Sequence, residues 1–417
     1  MKKPILINIF LISSVIGYAQ QSKQPPQWDR QAKKSIDSLV LAEITQNKVP
    51  GAVVQVSIGG RVVLSQAYGY ALRFDSSGKP VTTPEKMTKE HLFDIASLTK
   101  VAGTTTAIMK LVSEKRLQVD DSISKFLPAF RTAEKSGITV QHLLTHTSGL
   151  YEWYPMYYVS HKNRKTTYDL IASLPLNYAI NQQRKYSDLG FTVLGQLIET
   201  LSGKPLEVYL EDSIFRPLGM LHTFYLPNKK SYKGPVAPTS FGNPYEYRMA
   251  HDSALGFRVK EIDPSSWNGW RHYLLRGEAN DGNAWYANGG VSGAAGLFST
   301  MDDLQTLTYL LLNKGMKKGK YFIRPEVVET FLRVDKFKNG LGWMMDPHST
   351  FMKNAPVGSF GHTGFTGTSI VAIPEFNSSL IILINRQQSG LPASGEYNNV
   401  NPLRGALLEV VLKYLQH

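Results

Sequence analysis

The chain has 417 residues, 42% of them hydrophobic and 19% charged, a formal charge of +13 and no cysteine. That length supports one large core or two, and the composition is that of a soluble globular protein, which excludes a low-complexity or fibrous chain. Without cysteine there is no disulfide framework, no thiolate metal site and no lipid-modified thiol tether. The opening "MKKPILINIFLISSVIGYAQ" has Lys2 and Lys3 as a basic start, Ile5 to Ile16 as a mostly apolar core, and Gly17-Tyr18-Ala19 as a small-x-small cleavage site. This reads as a secretory signal over 1–19, with an apolar run too short for a membrane span, and export to a periplasmic or extracellular site is expected. No other stretch is apolar enough to cross a bilayer. The basic excess is dispersed and no nucleic-acid-binding motif accompanies it, so it is read as general solubility.

After the linker "QSKQPPQ", an amphipathic run over about 28 to 47 predicts a helix, and "GAVVQVSIGGRVVLSQAYGYA" predicts two strands turning at Gly59-Gly60. A helix opens at Ser97 and runs to about Lys115. From about 120 to 300 the pattern is helices and long loops, with "DLGFTVLGQLIETLSGK" and "PLEVYLEDSIFRPLGM" the clearest helices. "STMDDLQTLTYLLLNKG" begins with Ser299 and Thr300 at a cap and ends at Gly315. Strand-like segments then return as "GLGWMMD", "GSFGHTG", "TSIVAIPE" and "SLIILINR", the last two joined through Pro374 to Ser378. "PLRGALLEVVLKYL" closes the chain as an amphipathic helix. Strands at both ends with helices between them predict one antiparallel sheet built from chain-distant parts, helices covering it and a helical lobe in the middle.

Three Ser-x-x-Lys pairs occur: Ser76 to Lys79, Ser97 to Lys100 and Ser122 to Lys125. The first lies in a polar "DSSGKP" turn, and Pro128 soon interrupts any helix at the third. Only the middle pair starts a sustained helical run. There Ser97 is either a plain helix cap or a nucleophile, since i and i+3 share a face and the amine can reach the hydroxyl. The helix N-terminus also supplies N–H donors that suit a developing oxyanion. For Lys100 to act as a base its pKa must fall well below about 10.4, a fall that burial and a second cation would supply.

Two further stretches bear on that choice. "KYSDLG" sets Tyr186, Ser187 and Asp188 before a helix, and "FGHTGFTG" sets His362, Thr363 and Gly364 along a strand. With Ser97-Leu98-Thr99-Lys100 they stand in the order and spacing of the penicillin-recognising serine hydrolases. The chain resembles that family over nearly its whole mature length, and "LLTHTSGL", "GAAGLFSTMDDL" and "GLGW" look like recurrent family segments. The family includes class C β-lactamases, D-alanyl-D-alanine carboxypeptidases, D-aminopeptidases and esterases.

The resemblance implies an α/β (α+β) fold of the serine β-lactamase and penicillin-binding-protein type. Residues 20–417 would form the hydrolase domain, with an α/β lobe from about 28–115 and 300–417 and a helical lobe from about 116–299. It implies that Ser97 becomes acylated, that Lys100 and Tyr186 share the acid and base work, with Lys100 holding Tyr186 toward its phenolate form and either of the two taking the serine proton, and that His362 belongs to the catalytic set. The oxyanion hole would be the backbone N–H of Ser97 and Phe365, and Asp188, Thr363 and Gly364 would contact substrate. No cofactor or metal is implied. "HLLTH" holds His142 and His146 four apart but lacks the glutamate of a zinc-protease helix.

Two positions depart from the family pattern. Asp188 stands where many members have Asn, and an ionised carboxylate only accepts hydrogen bonds. His362 stands where many have Lys, and a neutral imidazole supplies no fixed charge for a substrate carboxylate. The two are expected to interact with each other. Both weaken a β-lactamase reading and resemble the esterase and amidase-like branches. "GEANDGNAWYANGGVSGAAGLFS" is similar to the corresponding region of secreted amidases that strip peptide from N-acetylmuramic acid, although Asp281, Asn283 and Asn288 can also simply make turn hydrogen bonds. The expectation is an acyl-serine hydrolase acting on wall-derived muropeptides. The alternatives are a class C-type β-lactamase, a small-ester carboxylesterase and a catalytically silent scaffold.

Overall fold

The sheet begins at the Gly59-Gly60 hairpin. In the computed structural model, which describes Trp28 and residues 30–416, β1 (Gly51–Ile58) and β2 (Arg61–Phe74) pair antiparallel across those glycines, whose φ values are 56° and 76°. That left-handed backbone is what a two-residue hairpin loop requires. The secretory signal read over 1–19 lies outside the described residues. β3 (Pro80–Lys86) adds an edge strand that the sequence reading missed, because Pro80 and Pro84 argue against a strand. An edge tolerates them, since one side of the strand needs no donors.

The other half of the sheet comes from the far end of the chain: β4 (Phe360–Thr363), β5 (Ser369–Ile373) and β6 (Ser378–Ile384). The order is β3-β2-β1-β6-β5-β4, joined at an antiparallel β1–β6 seam that sets Val54 opposite Ile382. "GLGWMMD" is not a strand, contrary to expectation. Gly342 turns left-handed at φ 84°, Trp343 drops into the core, and only Met344 reaches the sheet, through a single bridge to Gly361.

Alternation along the strands creates two cores. Ala52, Val54 and Val56 face α1 (Arg30–Thr45) and α6 (Asn401–Leu415), where Ile36, Val40, Leu407 and Val411 are buried. Val53, Ile370, Ile381 and Leu383 face the other way, onto Leu304 and Leu307 of α5 (Met301–Leu312). On that face Gln55 donates to Gln305 at 3.1 Å, so the one long polar side chain of β1 is satisfied inside the core. Among the described residues no helix is long and apolar enough to cross a membrane.

The segment expected to be one helix from Ser97 to Lys115 is two. A π-helical stretch over Lys100–Thr105 leads into α2 (Thr106–Ser113). α3 (Asp188–Ser202) is capped by the Ser187 hydroxyl, which accepts the Gly190 N–H at 3.1 Å, and ends at Gly203 with φ 69°. α4 (Pro244–His251) was not foreseen. A small sheet of Phe93–Asp94, Leu297–Ser299 and Phe224–Tyr225 then draws the Ser97 turn against the loop before Leu297.

That loop meets α3 backbone to backbone. A Cβ on Gly293 would lie 2.2 Å from the Phe191 carbonyl oxygen and 3.1 Å from the Gly195 Cα. Gly293→Ala must therefore push the loop away from α3. We expect about 1–3 kcal/mol of destabilisation in denaturant unfolding, the usual cost of overpacking. Unchanged stability would show that this close approach is dispensable.

Candidate active site

Ser97 sits on a turn that is held in a costly shape. Ala96, just before it, has φ 44°, which a residue with a Cβ rarely adopts. Buried Asp94 fixes that shape: Oδ1 accepts the Ala96 N–H at 2.8 Å and Oδ2 accepts the Asn280 N–H at 2.7 Å. Burial, with Asp281 nearby, pushes the Asp94 carboxyl up to about 6.

Lys100 lies below Ser97 and is fully buried, at 0% exposure. Its ammonium lies 3.1 Å from Ser97 Oγ, 2.8 Å from the Ala294 carbonyl and 2.7 Å from Asp188 Oδ1, with the Tyr186 hydroxyl also in reach. A lysine has three N–H donors, and the acceptors around Lys100 are enough to satisfy all of them. Burial alone would lower its pKa, but the Asp188 carboxylate and then Tyr186 more than offset this, and the ammonium is raised above its ordinary value. The condition for a free-amine base, a lowered lysine beside a second cation, is therefore not met in the resting site. Its neighbour is an anion, and the resting pair is Lys100 ammonium with Asp188 carboxylate.

Tyr186 completes the centre, with its hydroxyl in reach of Ser97 and Lys100 and its ring 5.0 Å from the Lys100 nitrogen. Burial raises its pKa and Lys100 only partly opposes the rise, so the phenol rests neutral rather than drawn toward the phenolate that the resemblance implied. His146 positions it. The imidazole lies 4.4 Å from the Tyr186 ring, its Nδ1 accepts the Ser187 N–H at 3.0 Å, and its carbonyl accepts the Lys185 N–H. Burial holds His146 well below the usual histidine range. His142 has other work, closing a capping box with Thr139. Among the described residues no cluster of His, Cys, Asp and Glu could hold a metal ion.

The expected Asp188–His362 contact is not formed, because Asp188 is committed to Lys100. His362 is 2% exposed, lies ring to ring 6.1 Å from Tyr186, and does not line the substrate cavity. Its Nδ1 donates to the Thr363 carbonyl at 2.8 Å. Burial, then the Lys100 charge, lowers it to about 3, so it is neutral. The structure thus sets His362 behind Tyr186 rather than among the groups open to substrate.

Beyond Thr363 the chain turns toward Ser97. A Cβ on Gly364 would lie 2.5 Å from the Ile95 carbonyl oxygen, and Thr366 and Thr368 donate to the carbonyls of Asp94 and Ile95 at 2.8 and 3.1 Å. These bonds bring Phe365 beside the Ser97 turn. Among the described residues the N–H groups of Ser97 and Phe365 donate to no backbone carbonyl, which suits both to an incoming oxygen.

A cavity of about 310 Å³ opens over Ser97, with Tyr186, Asp188 and Phe365 on its wall. Its acidic lining residues are Glu152, Asp188, Glu246 and Asp281, and among the described residues no lysine or arginine lines it. Asn283 is scaffolding, bonded to the backbone of Met156 and Tyr154, and Asn288 donates to the Asn283 carbonyl. Asp281 makes a turn bond to the Ala284 N–H and also faces the cavity. Glu246, on α4, was missed. A lone glutamate in a helix carries no sequence signal, and only packing sets it here.

The Beta-lactamase family model matches residues 36–401. N-acetylmuramyl-L-alanine amidase of Bacillus subtilis (strain 168) is 32% identical over 399 residues, covering 90% of this chain and 85% of that protein. A Salmonella typhimurium (strain LT2) protein provisionally named D-alanyl-D-alanine carboxypeptidase is 30% identical, covering 98% and 96%. The solved octameric penicillin-binding protein homologue from Pyrococcus abyssi superimposes with a TM-score of 0.66 at 21% identity, over 91% of this chain and 77% of that one.

The Asp94 clamp is testable. Asp94→Ala strands two buried N–H donors and releases Ala96, and we expect a loss of about 2–4 kcal/mol together with reduced turnover. In the folded chain Asp94 holds its proton up to about 6, above an unfolded value of about 3.9, so its protonation stabilises the fold at low pH and that contribution is lost as pH rises through 6. The stability gap between wild type and variant should therefore be wider near pH 4 than near pH 8. Unfolding curves at the two pH values check both statements.

Proposed function

The chain belongs to the Beta-lactamase family of serine hydrolases, and from that premise we propose that it is exported and cleaves an amide in muropeptides released from the cell wall. The observation that carries this reading is Ser97 Oγ, 3.1 Å from a fully coordinated lysine, on the floor of a cavity with acidic groups and no basic ones. Such a cavity offers no cation to hold the carboxylate that a β-lactam or a peptide ending in D-Ala-D-Ala would present, and neutral His362 supplies none. The identity and coverage of the Bacillus subtilis amidase support the same choice.

In this reading Ser97 Oγ attacks the carbonyl while its proton passes to Lys100, and Lys100 passes one of its own to Asp188 across 2.7 Å. The pair thus ends as ammonium and neutral acid. The N–H groups of Ser97 and Phe365 hold the oxyanion. As the C–N bond breaks, the neutral Tyr186 phenol protonates the leaving nitrogen and is refilled from Asp188 through Lys100. Water then attacks the ester, its proton follows the same relay to Asp188, and Ser97 Oγ recovers a proton as the acid leaves.

Purified protein incubated with muropeptides should release intact stem peptide and leave the lactoyl sugar, and Ser97→Ala should lower turnover at least about 10³-fold. Mass spectrometry reads the products. Loss of a terminal D-alanine instead would replace the amidase reading with a carboxypeptidase one. Hydrolysis of a chromogenic cephalosporin at comparable kcat/KM would restore a β-lactamase.

Asp188→Asn tests the relay. Without the carboxylate, activity requires Lys100 as the free amine, so the acid limb of kcat/KM should move to higher pH and kcat should fall about 10²-fold. An acid limb that stays where it is in wild type would remove Asp188 from proton transfer.

A further inference from the structure

The basic excess that looks dispersed in the sequence gathers at one place in the fold. Directly after α5, Met316–Lys317 pairs antiparallel with Lys320–Tyr321 in a minimal hairpin that turns at Lys318-Gly319. Both turn residues take left-handed φ values, 47° and 76°. Asn or Asp before Gly is the usual choice for such a turn, so Lys318 sets a cation at the tip against local preference.

The hairpin closes against the helical turn Arg216–Leu218, where the Lys317 ammonium donates to the carbonyls of Leu218 and Pro217. Between the two lies a cleft of about 420 Å³ that shares no residue with the Ser97 cavity. Arg216, Lys317, Lys318 and Lys320 line it, and among the described residues no acid does. Arg216 is shared with Glu211 and Asp212, but Lys318 and Lys320 have no ion-pair partner among the described residues. Burial, then the Lys318 charge, holds the Lys317 ammonium below its ordinary value, as expected where negative charge is lacking.

Apolar side chains border these charges and face solvent. Tyr321 is 56% exposed and stands directly across the hairpin from Met316, at 38%, so the two share a face. Leu221, two residues past the Gly219 that lines the cleft, is 65% exposed. Single exposed apolar residues are ordinary; grouped beside one basic cleft they need an occupant. A soluble polyanion offers such groups nothing. A bilayer interface takes both, with phosphates against the lysines and the acyl boundary against the apolar side chains.

We propose that this cleft and its apolar border dock the protein on an anionic phospholipid surface, with a lipid phosphate taken up by Lys317, Lys318 and Lys320. Each ammonium is a compact charge with rotatable donors, which suits a headgroup that approaches in many orientations. Tyr321 carries the amphipathic ring that settles at headgroup depth. Charge and a small apolar border together give a peripheral, reversible attachment. The inference does not rest on the muropeptide reading.

The test is co-sedimentation of residues 20–417, the expected exported form, with phosphatidylcholine vesicles, plain or mixed with phosphatidylglycerol. Binding should be at least about tenfold tighter to the mixed vesicles and should weaken in high salt. Lys318→Glu with Lys320→Glu should lower that affinity at least about tenfold. Tyr321→Ser with Leu221→Ser should lower it at least about threefold and leave the salt dependence unchanged. Lys34→Glu with Lys413→Glu makes the same charge change on α1 and α6, which cover the opposite face of the sheet, and should stay within about twofold of wild type. Thermal melts establish that each variant folds. Equal binding to both vesicle types would overturn the proposal, as would an equal loss in the Lys34 and Lys413 variant. Inorganic polyphosphate bound as tightly as the vesicles, with no loss in the Tyr321 and Leu221 variant, would also overturn it and assign the cleft to a soluble polyanion.

Discussion

A buried lysine ammonium organises this molecule. Removing such a charge from water costs several kcal/mol unless its donors are met. Lys100 meets all of them with Ser97, Asp188 and Ala294, which come from three segments far apart in the chain. The contacts that assemble the active centre therefore also compensate the charge. Closing α3 against the Gly293 loop and pairing Phe93–Asp94 with Leu297–Ser299 are what deliver those partners.

The nucleophile turn depends on the same logic applied to backbone groups. Ala96 and His146 both take left-handed φ values without being glycine, and each is held by its neighbours' hydrogen bonds. Asp94 secures one and the Lys185 N–H the other. Strain of this kind persists only where surrounding structure over-determines it, and here it lies on either side of the Ser97–Tyr186 pair. The 364–368 turn, stitched to Asp94 and Ile95 by the Thr366 and Thr368 hydroxyls, sets the Phe365 N–H beside the Ser97 turn.

Much of the architecture was legible because it is written locally. Gly59-Gly60 names its hairpin, and the run from Asp188 to Gly203 names a helix with its cap and its stop. Segments whose state is set by neighbours were not legible. "GLGWMMD" has strand-like composition, but Gly342 against Thr105 bends it, and Pro80–Lys86 becomes a strand only because it lies at an edge. The site divides in the same way. Ser97, Lys100 and Tyr186 could be named from motif spacing, while Glu246 and the role of His146 could not.

Asp188 and His362 show where sequence stops. Residue type established that one is an acceptor and the other, when neutral, no anchor for an anion. It could not establish whom each faces, and the expected contact between them is replaced by Asp188 on Lys100 and His362 behind Tyr186. By itself the sequence determined the antiparallel frame and the hydrolase family, because these rest on short spacings and periodicity. Only the tertiary structure decided the charge state of Lys100 and the acidity of the cavity. Both are sums over groups brought together from distant parts of the chain into a medium where unmatched charge is expensive.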